Sequence, residues 1–195
     1  GSVSAPGYGN LLVAPHNLRE RFTELIRREA EHAEAGRPSG IRAKMNQLQD
    51  ELMIQELYRA SQAGVPVSLN VRGMCCLRAG VPGLSENITV FSVLGRFLEH
   101  ARIYRFENGG DPEFFIGSAD WMRRNLDARM EAIMPVLDKG IQAELEHMLD
   151  VYEADNDTAW YMQPDNSYLR RSPAQGEESR ASQERFIRES RLPPG

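Results

Sequence analysis

IRAKMNQLQDELMIQELYRASQAGVPVSLNVRG, residues 41–73, predicts a strand, a helix and a second strand in succession. Residues 41–46 alternate between apolar and polar side chains, which is typical of a strand buried on one face. Asp50 can cap a helix whose apolar positions continue as far as Gly64. Residues 65–71 are predominantly apolar, and Arg72 and Gly73 then leave the sheet. A strand, a helix and a strand in this order predict an α/β fold.

The flanking segments continue this pattern in both directions. A helical stripe of apolar residues begins after Asn17 and stops at Gly36. On the other side, a loop over residues 77–87 precedes strand patterns over residues 88–92, 100–106, 113–117 and 128–136, with a short turn or helix over residues 94–98. An amphipathic helix follows over residues 138–154. We therefore predict an α/β sheet covered by helices on both faces.

The two ends of the chain are predicted to lie outside this domain. Residues 1–10 have the composition of a disordered leader, and the opening Gly-Ser is typical of a tag-cleavage remnant, so we expect a fragment of a longer protein. Residues 11–155 form the predicted domain. Residues 156–195 form a small C-terminal extension, with an exposed hairpin around residues 160–169, a mobile polar stretch over residues 171–181 and a short helix over residues 182–189.

Composition excludes some classes of function. The formal net charge of −5 argues against a general nucleic-acid binder, so no nucleic-acid partner is expected. No apolar run approaches the roughly 20 residues that span a bilayer. The only cysteines, Cys75 and Cys76, are adjacent, which suits neither an ordinary disulfide nor a CxxC metal site. We expect them to pack as small apolar groups in a reducing compartment, which favours a cytoplasmic location.

Two short motifs point to chemistry on phosphate. His100-Ala101-Arg102 places an imidazole two residues before a cation, and Gly117-Ser118-Ala119-Asp120 follows, with Glu131 further on. An imidazole can attack phosphorus or transfer a proton near neutral pH, and a cation can hold phosphate oxygens. This layout predicts a phosphoryl-transfer half-site, although a single histidine beside apolar residues is more often structural when it lacks such neighbours.

Other basic residues could add to this site. Arg72 stands where a strand ends, a position at which α/β sheets gather ligands and a guanidinium can bind phosphate with two hydrogen bonds; pairing with a surface acid is an equal alternative. Lys44 and Asn46 are possible phosphate contacts for which a structural role is favoured. Neither GxxxxGK[ST] nor GxGxxG occurs. Arg123, Arg124 and Arg129 lie among acidic residues. Such mixed clusters are usually solvated or paired internally, so we expect one or two of these arginines at most to contact substrate.

These motifs resemble known families. The His-x-Lys, Gly-Ser-x-Asn and distant Glu of the phospholipase D superfamily are similar to the motifs at residues 100–102, 117–120 and 131, with Arg102 in place of Lys and Asp120 in place of Asn. The chain more closely resembles the bacterial polyphosphate kinases that have two phospholipase-D-like catalytic domains, from about Leu11 to about Tyr168. The stretches that carry this resemblance are IRAKMN (41–46), VRGMCCLR (71–78), GVPGLSEN (80–87) and GRFLEH (95–100).

The resemblance implies a mixed phospholipase-D-like sheet and the second of the two catalytic domains. Such kinases reversibly transfer the terminal phosphate of ATP to polyphosphate through a phosphohistidine of the first catalytic domain, with magnesium. By this likeness His100 is a catalytic acid or base that also contacts phosphate, and Arg72 and Arg102 bind ATP or phosphate. Ser118 and Glu131 are possible supporting residues. No metal ligand is assigned here, because the family's magnesium-linked residues belong to parts outside this sequence.

The partners follow from the same likeness. They are ATP, polyphosphate and the first catalytic domain of the full-length chain, which is expected to be a homo-oligomer and to associate peripherally with membranes. The isolated fragment is expected to be inactive. Two alternatives stay open: a homodimeric phospholipase-D-like phosphodiesterase or nuclease, and a non-catalytic module that binds polyanions. The interpretation as a polyphosphate kinase domain requires His100 and Arg72 to converge on one anion pocket.

Overall fold

The computed structural model describes residues 6–13, 18–93, 102–128 and 131–191. Within these ranges the α-helices are α1 (Leu18–Glu34), α2 (Glu51–Gln62), α3 (Arg123–Asp127), α4 (Lys139–Ala154) and α5 (Ser182–Ser190). The strands are β1 (Leu12–Val13), β2 (Ile41–Met45), β3 (Val67–Val71), β4 (Ile88–Val93), β5 (Arg102–Phe106), β6 (Glu113–Gly117), β7 (Ala132–Val136), β8 (Ala159–Met162) and β9 (Tyr168–Arg170). A single 3-10 turn covers Asn108–Gly110.

All of these strands belong to one sheet with the order β1-β7-β6-β5-β2-β3-β4-β8-β9. The central strands β2, β3 and β4 are parallel, and every other neighbouring pair is antiparallel. The predicted α/β class is therefore confirmed, and the sheet is mixed, as the family likeness implied. Because β5 runs antiparallel to β2, the start of β5 lies beside the end of β2.

Helices cover both faces of the sheet, as predicted. On one face, Phe22 of α1 and Leu57 of α2 share a core with Met45. On the other face, Leu149 of α4 shares a smaller core with Ile103. None of the helices in the described part of the chain has the length and apolar character needed to cross a bilayer.

Strand β2 shows why the alternating pattern predicts this arrangement. Ile41, Ala43 and Met45 belong to the core under α1 and α2, whereas Arg42 turns to α4. Its guanidinium contacts three carboxylates of that helix at 2.6–2.9 Å: Glu146, Asp150 and Glu153. These acids also offset the repulsion between Arg42 and its cross-strand neighbour Arg105, since Glu146 accepts from both.

The helix cap predicted at Asp50 is confirmed. Its side chain accepts a hydrogen bond from the backbone N–H of Met53 at 3.1 Å, which is the usual N-cap interaction. The same carboxylate forms an ion pair with Arg19 of α1 at 3.0 Å. A single residue thus begins α2 and fastens it to α1, and both helices are held over the same face of the sheet.

Residues at both ends of the chain contribute to the sheet. Of the predicted leader, residues 6–10 are described, and they run along β7, where the backbone N–H of Gly9 donates to Pro135 at 2.8 Å and Tyr8 pairs with Val136. The expected hairpin is present as β8 and β9, and β8 pairs with β4. The boundary drawn between residues 155 and 156 stays a prediction, although both sides share one sheet.

The polar stretch over residues 171–181 is fixed by two buried residues at the end of α4. Asn156 donates to Glu177 and to the carbonyl of Glu178, and it accepts from the backbone N–H of Arg180 at 2.7 Å. Asp155 accepts from the backbone N–H of Ser182, which is the first residue of α5. These bonds hold the segment, predicted as mobile, against the end of α4.

Asp155 makes stability depend on pH. Burial acts to raise the pKa of its carboxyl, but hydrogen bonds from Thr158, Ser182 and Asp157 outweigh burial and lower the pKa. A lowered folded pKa gives stability that is fully present above about pH 4, the ordinary aspartate value, and is lost as pH falls through the folded pKa. We expect Asp155→Asn to lower the free energy of unfolding by about 2 kcal/mol at pH 7.

Urea unfolding at pH 7 and pH 3.5 measures this effect. The loss caused by Asp155→Asn should shrink at the lower pH, because the carboxyl of the unfolded chain has the higher pKa and is then protonated to a greater extent than the native one. Glu184→Gln is the matched control, since Glu184 is exposed and should change little at either pH. An equal loss at both pH values would contradict the proposed role of the ionised form.

Candidate active site

Six of the predicted site residues lie at a single edge of the sheet. This edge, called the site edge below, contains the last residues of β2, β3, β4 and β6 and the first residues of β5 and β7. The six residues are Lys44 near the end of β2, Asn46 after β2, Arg72 after β3, Arg102 at the start of β5, Ser118 after β6 and Glu131 before β7. They come from different strands, and the topology brings them together.

His100 lies outside the described residues. The described residues on either side of its segment, Val93 at the end of β4 and Arg102 at the start of β5, both belong to the site edge. The expected convergence of His100 and Arg72 on one anion pocket therefore stays a prediction. Arg129, another candidate, and the turn or helix predicted over residues 94–98 also fall outside the described ranges.

Three loops at the site edge are bound to one another. Leu48 forms bridges with both Cys75 and Trp121, so the loop after β2 lies between the loops that follow β3 and β6. The backbone N–H of Gly73 donates to the carbonyl of Asn46 at 2.7 Å. A side chain at position 73 would begin 2.8 Å from that oxygen, so this contact requires glycine. Arg72 is thereby fixed beside the end of β2.

The carboxylate of Asp120 accepts the hydrogen bonds that connect these loops. One carboxylate oxygen, Oδ1, accepts from the backbone N–H of Asn46 at 2.7 Å and from Nε of Arg102 at 3.0 Å. The other, Oδ2, accepts from Nη2 of Arg102 at 3.1 Å. Asp120 is 3% exposed, and its own backbone N–H donates to Asn125 of α3. The carboxylate therefore connects β5 to the loops after β2 and β6.

This ion pair explains the two departures from the superfamily motifs. Arginine replaces lysine at position 102 and aspartate replaces asparagine at position 120, and in the structure the two side chains are partners in a two-bond contact. Hydrogen bonding to Asp120 raises the pKa of Arg102, and the negative charge of Glu131 adds to this effect. Sequence reasoning placed Asp120 in the cluster of mixed charges around Arg123 and Arg124, and the paired exchange was the available signal for its contact with Arg102.

Gly117 and Ser118 have roles in the backbone. A side chain at position 117 would overlap the carbonyl oxygen of Ala132, so glycine permits the close approach of β6 and β7. Ser118 is exposed, its N–H donates to the Ala132 carbonyl at 3.0 Å, and its hydroxyl accepts from the Ala132 N–H at 3.3 Å. The Gly-Ser motif thus closes the end of the β6–β7 pair, and Glu131 precedes this closure by one residue.

Aromatic packing supports the same loop from beneath. Trp121 is fully buried, and its ring stacks on Tyr104 with centroids 5.1 Å apart and meets Phe22 of α1 edge-on at 5.5 Å. Its carbonyl accepts from the N–H groups of Gln49 and Asp50. The hydroxyl of Tyr104 donates to the Ala119 carbonyl. The loop that carries Ser118 and Asp120 is consequently part of the core.

Lys44 lies on the opposite face of the sheet from Arg102. Lys44 is 8% exposed, and its Nζ lies 5.8 Å from the centroid of the Tyr152 ring of α4. The registers confirm the difference, because Lys44 pairs with Ile103, one residue along from Arg102. Lys44 thus approaches the site edge from the α4 side.

Arg72 differs from most arginines of this chain. It is exposed, and its side chain forms no hydrogen bond or ion pair with any described residue. Within the described ranges, only Arg72, Arg124, Arg188 and Arg191 among the arginines lack such a partner. No described acid pairs with Arg72, and the alternative in which it pairs with a surface acid stays open for the residues outside the described ranges. An exposed guanidinium with all its donors available suits a phosphate group.

The described residues offer no cluster of three His, Cys, Asp or Glu side chains that fits a metal ion. Asp120 is close to the site, but its lone pairs are used by Arg102 and Asn46. The described residues therefore supply no ligand set for the magnesium that the family likeness implies.

Comparisons with known proteins show the family of this chain. The family model described as polyphosphate kinase C-terminal domain 2 matches residues 11–183. The chain belongs to the polyphosphate kinase family. The polyphosphate kinase of Thermosynechococcus vestitus is 56% identical over 175 residues, which is 90% of this chain and 24% of that protein. The chain thus spans about a quarter of the length of this curated relative.

Solved structures give the same family and fold. The crystal structure of polyphosphate kinase from Porphyromonas gingivalis matches with a TM-score of 0.86 and 39% identity, covering 96% of this chain and 29% of that chain. Nuc from Salmonella typhimurium, a phospholipase D family member, matches with a TM-score of 0.51 and 14% identity, covering 82% of this chain and 96% of that one. The second likeness concerns the fold alone, and it confirms the predicted phospholipase-D-like architecture.

The Arg102–Asp120 pair yields a test of this site. We expect Asp120→Asn to lower the free energy of unfolding by about 3 kcal/mol, because it leaves a largely buried guanidinium without its counter-ion. The double variant Arg102→Lys/Asp120→Asn restores the superfamily pattern and should lose less than the sum of the two single variants, by about 1–2 kcal/mol.

Urea unfolding of the four proteins in this double-mutant cycle gives the coupling energy. The control cycle uses Arg123→Lys and Asp127→Asn, an exposed pair of α3 with 3.6 Å between Nε and the carboxylate. Its coupling should not exceed about 0.5 kcal/mol. Additive losses in the first cycle would contradict a direct role for the buried pair.

Proposed function

We propose that this chain is the second of two catalytic domains of a polyphosphate kinase. In this proposal the full-length enzyme reversibly transfers the terminal phosphate of ATP to polyphosphate through a phosphohistidine of the first catalytic domain. The chain supplies the facing half of the site. Family membership and the gathering of six predicted site residues at the site edge support this assignment.

The observation that carries the proposal is the exposed guanidinium of Arg72, which forms no hydrogen bond or ion pair in the described part of the chain. In a chain with a net charge of −5, acids are plentiful, and most described arginines contact one. Arg72 is fixed at the end of a parallel strand by the Gly73–Asn46 contact, yet its side chain has no partner among the described residues. A rigid backbone with an uncompensated cation at a strand end is suited to bind a phosphate group of ATP or polyphosphate.

Arg102 has a different role in the proposed mechanism. Two of its donors are held by Asp120, so its first contribution is to fix the loop after β6, and its second is a positive charge at the site edge. Phosphoryl transfer depends mainly on positioning and charge neutralisation, which both arginines supply. We propose that His100, two residues before Arg102, acts as a general acid or base at the leaving oxygen.

The remaining parts of the mechanism lie outside this chain. The chain spans about a quarter of its relatives, so we assign the phosphorylated histidine and the magnesium ligands to the rest of a full-length enzyme. Magnesium would neutralise phosphate charge when bound. We further propose a homo-oligomeric cytoplasmic enzyme that associates peripherally with membranes and has no nucleic-acid partner.

The isolated chain should form no polyphosphate from ATP and magnesium, because it holds only one half of the site. Incorporation of labelled phosphate into acid-insoluble polymer measures this, with a full-length polyphosphate kinase as the positive control. Turnover by a verified monomer would contradict the half-site proposal. Hydrolysis of a phosphodiester by a dimer, with phosphate trapped on His100, would instead support the phosphodiesterase alternative.

In the full-length enzyme, His100→Ala should lower the rate of polyphosphate synthesis by at least ~100-fold, as expected for loss of a general acid or base. Arg72→Lys should raise KM for ATP, because a compact ammonium cannot make the two-bond phosphate contact. Arg188→Ala is the control, since it removes an equally unpaired arginine of α5. Near-normal synthesis by His100→Ala would reject the catalytic role.

A further inference from the structure

Two adjacent arginines of α3 have different surroundings. Nε of Arg123 lies 3.6 Å from the carboxylate of Asp127, and both residues line a cleft with Asp50 and Glu51. Arg124 is exposed and forms no hydrogen bond or ion pair with any described residue. The two side chains therefore carry the same charge in neighbouring positions, but only Arg123 has a carboxylate of the described residues within ion-pair distance.

A series of hydrogen bonds connects the residue after Arg124 to the residue after Arg72. The next residue, Asn125, accepts from the backbone N–H of Asp120 at 2.9 Å, and Asp120 accepts from the backbone of Asn46. Asn46 in turn accepts from Gly73, the neighbour of Arg72. This series of bonds fixes the backbones of both arginines relative to the site edge.

The strands that precede the two arginines are not neighbours in the sheet. Arg72 follows β3 and α3 follows β6, and the order β6-β5-β2-β3 places three strand spacings between them. At about 4.8 Å per spacing, the two strands are about 14 Å apart. A single phosphate group can contact one arginine only, whereas a linear chain of phosphates can contact both.

We propose that Arg124 is a second anion-binding residue and that, with Arg72, it holds an extended polyphosphate chain along the site edge. This inference rests on the proposed function and names the part of the substrate that the edge binds. Each exposed guanidinium can form charge-assisted hydrogen bonds with phosphate oxygens, so a polyanion lying across both arginines makes two such contacts. Arg124 increases the affinity for long polyphosphate chains only, whereas Arg72 contacts a phosphate group of either a short or a long chain.

Direct binding to the 195-residue chain tests this inference, with long-chain polyphosphate and inorganic tripolyphosphate as probes. Arg124→Ala should weaken long-chain binding about fivefold, the loss of one charge-assisted contact at an exposed position, and leave tripolyphosphate binding unchanged. Arg72→Ala should weaken both. Arg123→Ala is the matched control, because it removes the same charge from the adjacent residue and should change neither. Thermal unfolding of each variant verifies the fold.

The outcomes separate the inference from the proposed function. If Arg72→Ala weakens binding while Arg124→Ala matches Arg123→Ala, the inference is wrong and the proposed function stands. Equal losses in Arg123→Ala and Arg124→Ala also overturn it, because general charge then explains the binding. An equal Arg124 effect on a single-stranded oligonucleotide would overturn the assignment to polyphosphate. Absence of polyphosphate binding by the unsubstituted chain would count against both proposals.

Discussion

The buried carboxylate of Asp120 is the interaction on which the site edge depends. A carboxylate that is 3% exposed is stable only when its oxygens are paired, and here a backbone N–H and a guanidinium satisfy them. Those two donors come from the loop after β2 and from the start of β5, so the need to satisfy one charge fixes three segments at once. Trp121 then anchors the same loop in the core beneath. The edge is therefore organised before any ligand binds.

The distribution of charge gives this rigid edge its chemical character. Acids outnumber bases in the chain, and carboxylates of α4 neutralise even the arginines that face each other across β2 and β5. Against this background an unpaired arginine is informative, because a nearby acid would ordinarily offset it. Arg72 is fixed at the site edge by the backbone of Gly73, and it is left available for an anion supplied from outside. Among the described residues, no acid of the chain itself occupies the guanidinium of Arg72.

The sequence predicted those features that depend on local pattern. Alternation in β2, the Asp50 cap and the apolar positions of α2 each report on neighbouring residues, and the structure confirms them. Arg102 lies at the start of β5, and its partner Asp120 is 18 residues away, so this contact could be found only through tertiary packing. The same reason applies to residues 171–181, where polar composition indicated mobility while buried Asn156 and Asp155 supply distant bonds. Polar side chains that are satisfied by remote partners leave little trace in local periodicity.

The two faces of the sheet contribute unequally to the edge. Arg102 and Asp120 approach it from the α1 side and are committed to each other, whereas Lys44 approaches from the α4 side, next to Tyr152. Tyr152 also meets Phe186 of α5 edge-on at 5.2 Å, so the C-terminal helix packs behind the same aromatic ring. The extension is consequently more than an appendage to the sheet. It completes the packing that holds Lys44 near the end of β2, on the face where the bonds of Asp120 do not reach.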